Sequence, residues 1–356
     1  MDRGSFGVRA LATNHHPPTT YQSKENIVTK LLAAFTLAGA VGVAAAAAQS
    51  PAEMEKHIAA AKAAAGTEHS GIFDRTCTEA RTIGAPRGGG AGAGGGRRGG
   101  GPPPPPARET WHAEPAKVFD NLYYVGMTEY SSWAVTTSQG IILIDAIYDY
   151  SVEDEVDGGL KKLGLKPADI KYVLISHAHL DHAGGAKFLQ DKYGARILMS
   201  AADWDLLDQQ NPPWKPKRDM IVTDGQKLTL GETTLTMYIT PGHTMGTVSS
   251  IVPVFDNGQR HIAAAWGGTA FNFGPDKARL QTYAASAVRF RDIVAKAGAD
   301  ALFANHTDFD GTKVKIPALA QRKPGSPHPY VIGKDAVQRY VTVANECAQA
   351  AIANLP

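Results

Sequence analysis

From Trp111 onward the chain alternates short apolar runs with turn residues. Val118–Val125, Ser132–Thr137 and Ile141–Asp145 read as strands of an antiparallel meander, with Gly140 at a turn. Val152–Leu163 then reads as a helix, Tyr172–Ser176 as a buried strand, Gly185–Tyr193 as a helix and Ala195–Met199 as a strand, which is a βαβ alternation. The plan repeats loosely with strands around Lys227–Leu230, Thr234–Thr240, Thr247–Val254 and His261–Trp266, and Asn257-Gly258 marks a hairpin turn. Leu280, Tyr283, Ala287, Phe290 and Val294 step by three and four, predicting one apolar helical stripe before a strand at Ala301–Ala304. A further helix is predicted around Asp335–Ala353. Two strand-rich halves, each flanked by helices, predict two sheets packed face to face with helices outside, an α/β four-layer sandwich.

Upstream the pattern is different. Residues 31–48 form an uncharged apolar run that follows Lys30 and ends in Ala46-Ala47-Ala48-Gln49, the order of a secretory signal peptide cleaved near Ala48. A membrane anchor fits less well, because the run is mostly Ala and short for a span of about 20 residues. The 30 residues ahead of the run are long for a charged leader, which leaves open a start codon set too far upstream. Residues 52–65 are strong helix formers, and His57 among them has no partner nearby in sequence and reads as surface. Residues 84–110 contain GAPRGGGAGAGGGRRGGGPPPPP, which cannot bury apolar area and reads as a disordered linker stiffening into polyproline. The expected division is therefore 1–48 leader and signal peptide, 49–83 N-terminal helical segment, 84–110 linker and 111–356 main domain.

Charge excludes one class of partner. Among 356 residues, 36 are basic and 34 acidic, a net of +2, so the chain is not built to neutralise a nucleic-acid backbone. Once the signal is removed no stable membrane span is expected, and no feature specifies an oligomeric state. Two cysteines are too few for a disulfide framework or a four-thiolate zinc knuckle. Cys77 and Cys347 either pair, tying the N-terminal segment to the C-terminal helix in an oxidising compartment, or stay apart as small buried groups. Any metal must lean on the 12 histidines and on carboxylates.

Three of those histidines fall within six residues, in Ile175-Ser176-His177-Ala178-His179-Leu180-Asp181-His182-Ala183-Gly184-Gly185, directly after an apolar strand. Imidazoles at i and i+2 in an extended turn point the same way, so His177 and His179 can grip one ion while Asp181 and His182 reach a second. His243, in the turn Pro241-Gly242-His243-Thr244, and His306, after the Ala301–Ala304 strand, sit in the same kind of position and complete a ligand set.

Over residues 115 to 312 these features resemble the metallo-β-lactamase superfamily, whose signature is HxHxDH followed by a histidine in PGHT and a late strand-end histidine. The resemblance implies an αββα sandwich with two Zn²⁺ per chain at the edge of the sheets. His177, His179 and His243 would hold the first zinc, and Asp181, His182 and His306 the second. Asp145, closing the strand IILIDA, matches the family's aspartate beside the site and is expected to support ligands. Glyoxalase II, lactonases and phosphodiesterases of the family usually carry a bridging aspartate after the strand that follows PGHT, and one β-lactamase subclass has a cysteine nearby. Here Ala265-Trp266-Gly267-Gly268-Thr269-Ala270-Phe271 offers neither. The chain is in this respect similar to the third subclass of metallo-β-lactamases, with Thr269 in place of the usual serine.

The resemblance implies a periplasmic or secreted hydrolase of a small-molecule substrate, opening the β-lactam ring by attack of a zinc-bound hydroxide, with Asp181 as the catalytic side chain; export fits, since β-lactams act at the cell wall. Two alternatives keep the metals: a hydrolase of another cyclic ester, thioester or phosphodiester, and a non-catalytic zinc-binding protein. For substrate contacts the candidates are Thr269, Trp204 in a polar loop from Asp203 to Asp219 that could lean over the metals, and Tyr130. For Trp204 and Tyr130, cover of the sandwich edge is an equal reading. Lys215, Lys217 and Arg218 in the same loop read either as attractors of a substrate carboxylate or as solvated surface.

Overall fold

Ile141 and Leu143 enter one core and Ile142 and Ile144 another, because successive side chains of an extended chain point to opposite faces. A strand apolar on both faces needs cover on both. The computed structural model supplies it; it describes residues 51–84 and 104–356, so the expected signal peptide and most of the expected linker lie outside the described residues.

The first sheet holds seven strands in chain order: β1 (Ala116–Lys117), β2 (Leu122–Tyr124), β3 (Trp133–Thr137), β4 (Gly140–Ile144), β5 (Ile170–Leu174), β6 (Arg196–Ser200) and β7 (Met220–Val222). β1 to β4 pair antiparallel, and β4 to β7 parallel. The second sheet runs β12 (Ala301–Leu302), β11 (Gln259–Ala265), β10 (Val248–Asp256), β9 (Thr233–Ile239) and β8 (Lys227–Leu230). Between the sheets lies a core that includes Trp133, Ile142, Leu174, Leu198, Met237, Val252 and Phe303.

Helices cover the outer faces. On the first sheet these are a π-helical turn at Glu153–Gly158 running into α3 (Gly159–Lys162), and, after α4 (Leu180–Ala183), α5 (Ala186–Tyr193) and α6 (Ala201–Gln210). On the second, α7 (Lys277–Ala297) buries the predicted stripe of Leu280, Tyr283, Ala287, Phe290 and Val294 beside α10 (Lys334–Ala353). Two short helices, α8 (Thr307–Asp310) and α9 (Thr312–Ala320), follow β12. The four-layer αββα sandwich is thus the observed fold.

Several expectations need correction. The expected N-terminal helical segment is not separate from the main domain: α1 (residues 51–65) and α2 (Ser70–Thr82) bury Ile58, Ala61, Ala65, Ile72 and Ala80 in the same core as α7 and α10. Of the two readings left open for the cysteines, pairing holds, since Cys77 and Cys347 form a disulfide that joins α2 to α10; His57, by contrast, is not free surface, since its Nδ1 lies 2.7 Å from Glu346 Oε2 on α10. The strand expected at Val118–Val125 shortens to β2, because the chain bends at Phe119–Asn121, where Asp120 and Asn121 favour a turn, and β1 lies just before it. The loop expected at Asp203–Asp219 begins as α6. Ser200 Oγ caps it by accepting the Asp203 N–H at 3.2 Å, and Asn211 closes it at φ 43°. Trp204 is therefore fully buried on that helix, its indole N–H donating to the Met220 carbonyl, and it lines a core rather than a lid. Lys215 and Arg218 pair with Asp208 and Asp205 on the solvated surface. Among the described residues no helix is long and apolar enough to cross a membrane.

Pairing directions fix where chemistry can gather. β4, β5 and β6 are parallel and end together, and β9 and β11, both antiparallel to β10, end at one side along with β12. The Val248 N–H, at the start of β10, donates to the Ser176 carbonyl at 2.7 Å and joins the two ends into one edge.

Candidate metal centre

Every expected ligand leaves the sheets at that edge. Ser176 to His182 follow β5, His243 follows β9 and His306 follows β12. Asp145, just past β4, takes a left-handed backbone (φ 61°), and so does the β-branched Ile147 (φ 50°). Such conformations cost of order 1–3 kcal/mol each and persist only where surroundings over-determine them. The surroundings do so: the Asp145 carboxylate is fully buried and accepts the Ser176 N–H at 2.7 Å, the Ser176 hydroxyl at 2.8 Å and the His182 Nδ1–H at 2.9 Å. Across from Ile147, a Cβ on Gly185 would lie 2.3 Å from the Ala146 carbonyl oxygen, so only glycine lets the chain leaving the HAHLDH loop pass this close.

Two triads result. His243 Nε2 lies 3.0 Å from His177 Nε2 and 3.1 Å from His179 Nδ1. The outer nitrogens are already spoken for, since His177 Nδ1–H donates to the Gly267 carbonyl at 2.8 Å and His243 Nδ1–H to that of Ala270 at 2.7 Å. Those bonds settle the tautomers of His177 and His243, so their Nε2 lone pairs face one another. Lone pairs at this distance repel unless a cation lies between them, and second-sphere acceptors of this kind orient imidazoles for a metal. Burial first, and the neighbouring histidines next, hold His177 and His243 well below the ordinary histidine pKa, while burial pushes His179 down to about 4. All three are neutral near pH 7, the form that ligates.

In the second triad His182 Nε2 stands 3.1 Å from Asp181 Oδ2 and 3.2 Å from His306 Nε2, with His306 Nε2 3.6 Å from the same carboxylate oxygen. The His177 and His182 ring centroids are 4.1 Å apart, so the triads abut. Burial opposes charge on His182, yet the flanking Asp181 and Asp145 carboxylates push it up to about 10. A pocket that favours positive charge this strongly, lined by two carboxylates and clustered neutral imidazoles, fits divalent cations. The six residues expected as ligands are brought together.

The other candidates divide. The Tyr130 ring lies 5.0 Å from that of His306 and 5.0 Å from Tyr148, which burial and the Tyr130 hydroxyl hold protonated. Tyr150 stacks on Tyr148 at 5.0 Å, which makes an aromatic wall beside the second triad. Thr269 is buried, its hydroxyl without a hydrogen-bond partner among the described residues, while its carbonyl accepts the Tyr283 hydroxyl. Trp204 lies in the core described above.

Three residues of the site escaped the sequence reading. Asp203 is buried, and its carboxylate accepts the Ala178 N–H, the Thr244 hydroxyl and the Gly246 N–H; burial pushes it up to about 6 despite these bonds. Its signal was Ser200-x-x-Asp203 after a strand, a helix-start pattern. Arg279 donates from Nε to the Gly242 carbonyl and from Nη2 to that of His243, with its guanidinium carbon 4.3 Å from the Phe273 ring centroid. No spacing pointed to Arg279 or to Tyr148.

Residues 125–254 match the family model described as the metallo-β-lactamase superfamily. A hydroxyacylglutathione hydrolase of Acidiphilium cryptum is 37% identical over 105 residues, 30% of this chain and 37% of the relative. The chain thus spans little more than a third of the curated relative it matches. Among solved structures, a subclass B3 metallo-β-lactamase of Bradyrhizobium japonicum superposes with a TM-score of 0.56 at 28% identity, over 66% of this chain and 92% of that one. A Cronobacter sakazakii metallo-β-lactamase with a HARLDQ motif superposes with the same TM-score at 29% identity, over 66% and 92%.

Proposed function

We propose, from the match of residues 125–254 to the metallo-β-lactamase superfamily model and the likeness to a subclass B3 enzyme, that this chain is an exported zinc-dependent hydrolase that opens β-lactam rings. Two zinc ions, one per triad, supply when bound a Lewis acid for the substrate carbonyl and an ionised water near neutral pH. The chain's own residues do the rest. His177, His179 and His243 hold one cation, and Asp181, His182 and His306 the other. His182 beside it keeps the Asp181 carboxyl well below the usual carboxylate range although burial opposes this, so Asp181 is available to orient the attacking water. Tyr130 and Tyr148 stand as an aromatic wall on the His306 side, against which a substrate ring can rest.

One observation carries the choice of substrate. The stretch Ala265–Phe271 turns backbone carbonyls toward His177 and His243 and offers neither carboxylate nor thiol, which parts it from ligand sets with a bridging aspartate. The identity to a hydroxyacylglutathione hydrolase favours a second reading, hydrolysis of a thioester. Export is supported by the apolar run at 31–48 and by the Cys77–Cys347 disulfide, since such bonds persist in oxidising compartments.

Turnover of nitrocefin, an acyl-homoserine lactone, a glutathione thioester and a phosphodiester by the zinc-loaded protein tests the reading. Nitrocefin is expected to be hydrolysed, with kcat falling by about 10² or more in Asp181→Ala. Turnover confined to the ester, thioester or phosphodiester substrates would overturn it.

A further inference from the structure

Helix α2 lies outside the residues that match the family model, yet it reaches the metal centre. Gly71, Arg75 and Glu79 are spaced i, i+4, i+8 and share one face. At one end of this stripe, a Cβ on Gly71 would lie 1.9 Å from the Asp308 carbonyl oxygen, so the α2 backbone rests directly against the turn that begins one residue after His306. At the other end, Glu79 Oε2 accepts the Phe271 N–H at 2.6 Å, next to Ala270, whose carbonyl holds His243. Arg75 stands midway between the turn that carries His306 and the loop that orients His243.

Its guanidinium is held rather than loose. Arg75 Nε lies 2.8 Å from Glu79 Oε1, which fixes one edge, while the terminal nitrogens have no partner among the described residues and the side chain is 56% exposed. The disulfide to α10 and the shared core beneath keep the helix, and so the arginine, in place.

We propose that Arg75 binds a carboxylate of the substrate, so that the N-terminal helix completes the site with an anion subsite on the His306 side. The inference rests on the hydrolase reading above. With the substrate carbonyl at the first triad, the departing amide nitrogen falls at the second. A carboxylate on the carbon next to that nitrogen, as penicillins carry, then points toward α2. A guanidinium anchored along one edge presents its remaining N–H groups in the planar fork that pairs with carboxylate oxygens.

The test compares wild type, Arg75→Ala and Arg75→Lys on benzylpenicillin and on its methyl ester. For the carboxylate, KM is expected to rise about tenfold in Arg75→Ala at nearly constant kcat and to recover in part in Arg75→Lys, a figure kept low because the pair is exposed. The ester's KM is expected to stay put in all three proteins. Equal shifts on both substrates, or none on either, overturn the assignment. If the wild type hydrolyses neither lactam, the reaction proposed above fails, and the anion subsite is then decided by calorimetric titration of the same two intact compounds. An affinity for the carboxylate lost only in Arg75→Ala supports it; equal or absent binding overturns it.

Discussion

Asp203 and Thr244 meet at 2.8 Å, the threonine hydroxyl donating to Oδ2, and the same oxygen accepts the Ala178 N–H at 2.8 Å. One buried carboxylate therefore links the loop of His177 and His179 to the loop of His243. Asp203→Ala is expected to weaken zinc at the first triad by about 10–100-fold, the range seen when groups that orient ligands are removed. Competition with a chromophoric chelator measures this, and an unchanged affinity would show that other contacts suffice to hold the loops.

Asp145 combines a charge beside His182 with a left-handed backbone, and two substitutions separate these roles. Asparagine tolerates this backbone, so Asp145→Asn removes mainly the charge and is expected to lower occupancy of the second triad with little loss of stability. Asp145→Ala adds backbone strain of about 1 kcal/mol or more and is expected to lower Tm as well. Metal content per chain and thermal unfolding of the two variants, compared side by side, check the separation.

The Cys77–Cys347 bond closes a loop of 270 residues between helices that also share a core. Cys347→Ser is expected to cost about 2–5 kcal/mol in urea unfolding without loss of the fold. Wild type measured with a reductant should match the variant; a variant as stable as the oxidised protein contradicts the expectation.

His69, just before α2, is buried and donates from Nε2 to the Ala336 carbonyl at 2.8 Å. Burial depresses its pKa below the ordinary value of 6.5. The unfolded chain binds a proton on this histidine near pH 6.5, whereas the native state resists until lower pH, so the stability it contributes is full above about pH 6.5 and is lost as pH falls. Relative to His69→Gln, wild type should hold its largest advantage in Tm near pH 8 and a smaller one at pH 5. A difference that stays constant with pH speaks against the assignment.

Much of the fold was legible because its signals are local. Period-two alternation in Ile141–Ile144 required cover on both faces, and the stripe from Leu280 to Val294 required a partner layer. Asn257-Gly258 turned its hairpin as expected, both residues at positive φ (50° and 79°). Trp204 misled because an aromatic in a polar stretch has no period to reveal burial; Ser200 and Asn211, the caps on either side, held the better information.

What the amino-acid order determined alone was a donor set: five imidazoles and a carboxylate, each placed where a strand runs out, with chemistry that suits paired divalent cations. What only the tertiary structure decided was every relationship between elements distant in the chain. Asp203 as the tie between two loops, Arg75 at the rim and His57 against Glu346 arise because parallel strands end at one edge and helices from both termini pack over one sheet. Such contacts depend on the summed burial of a whole layer, and that quantity is not written at any single position.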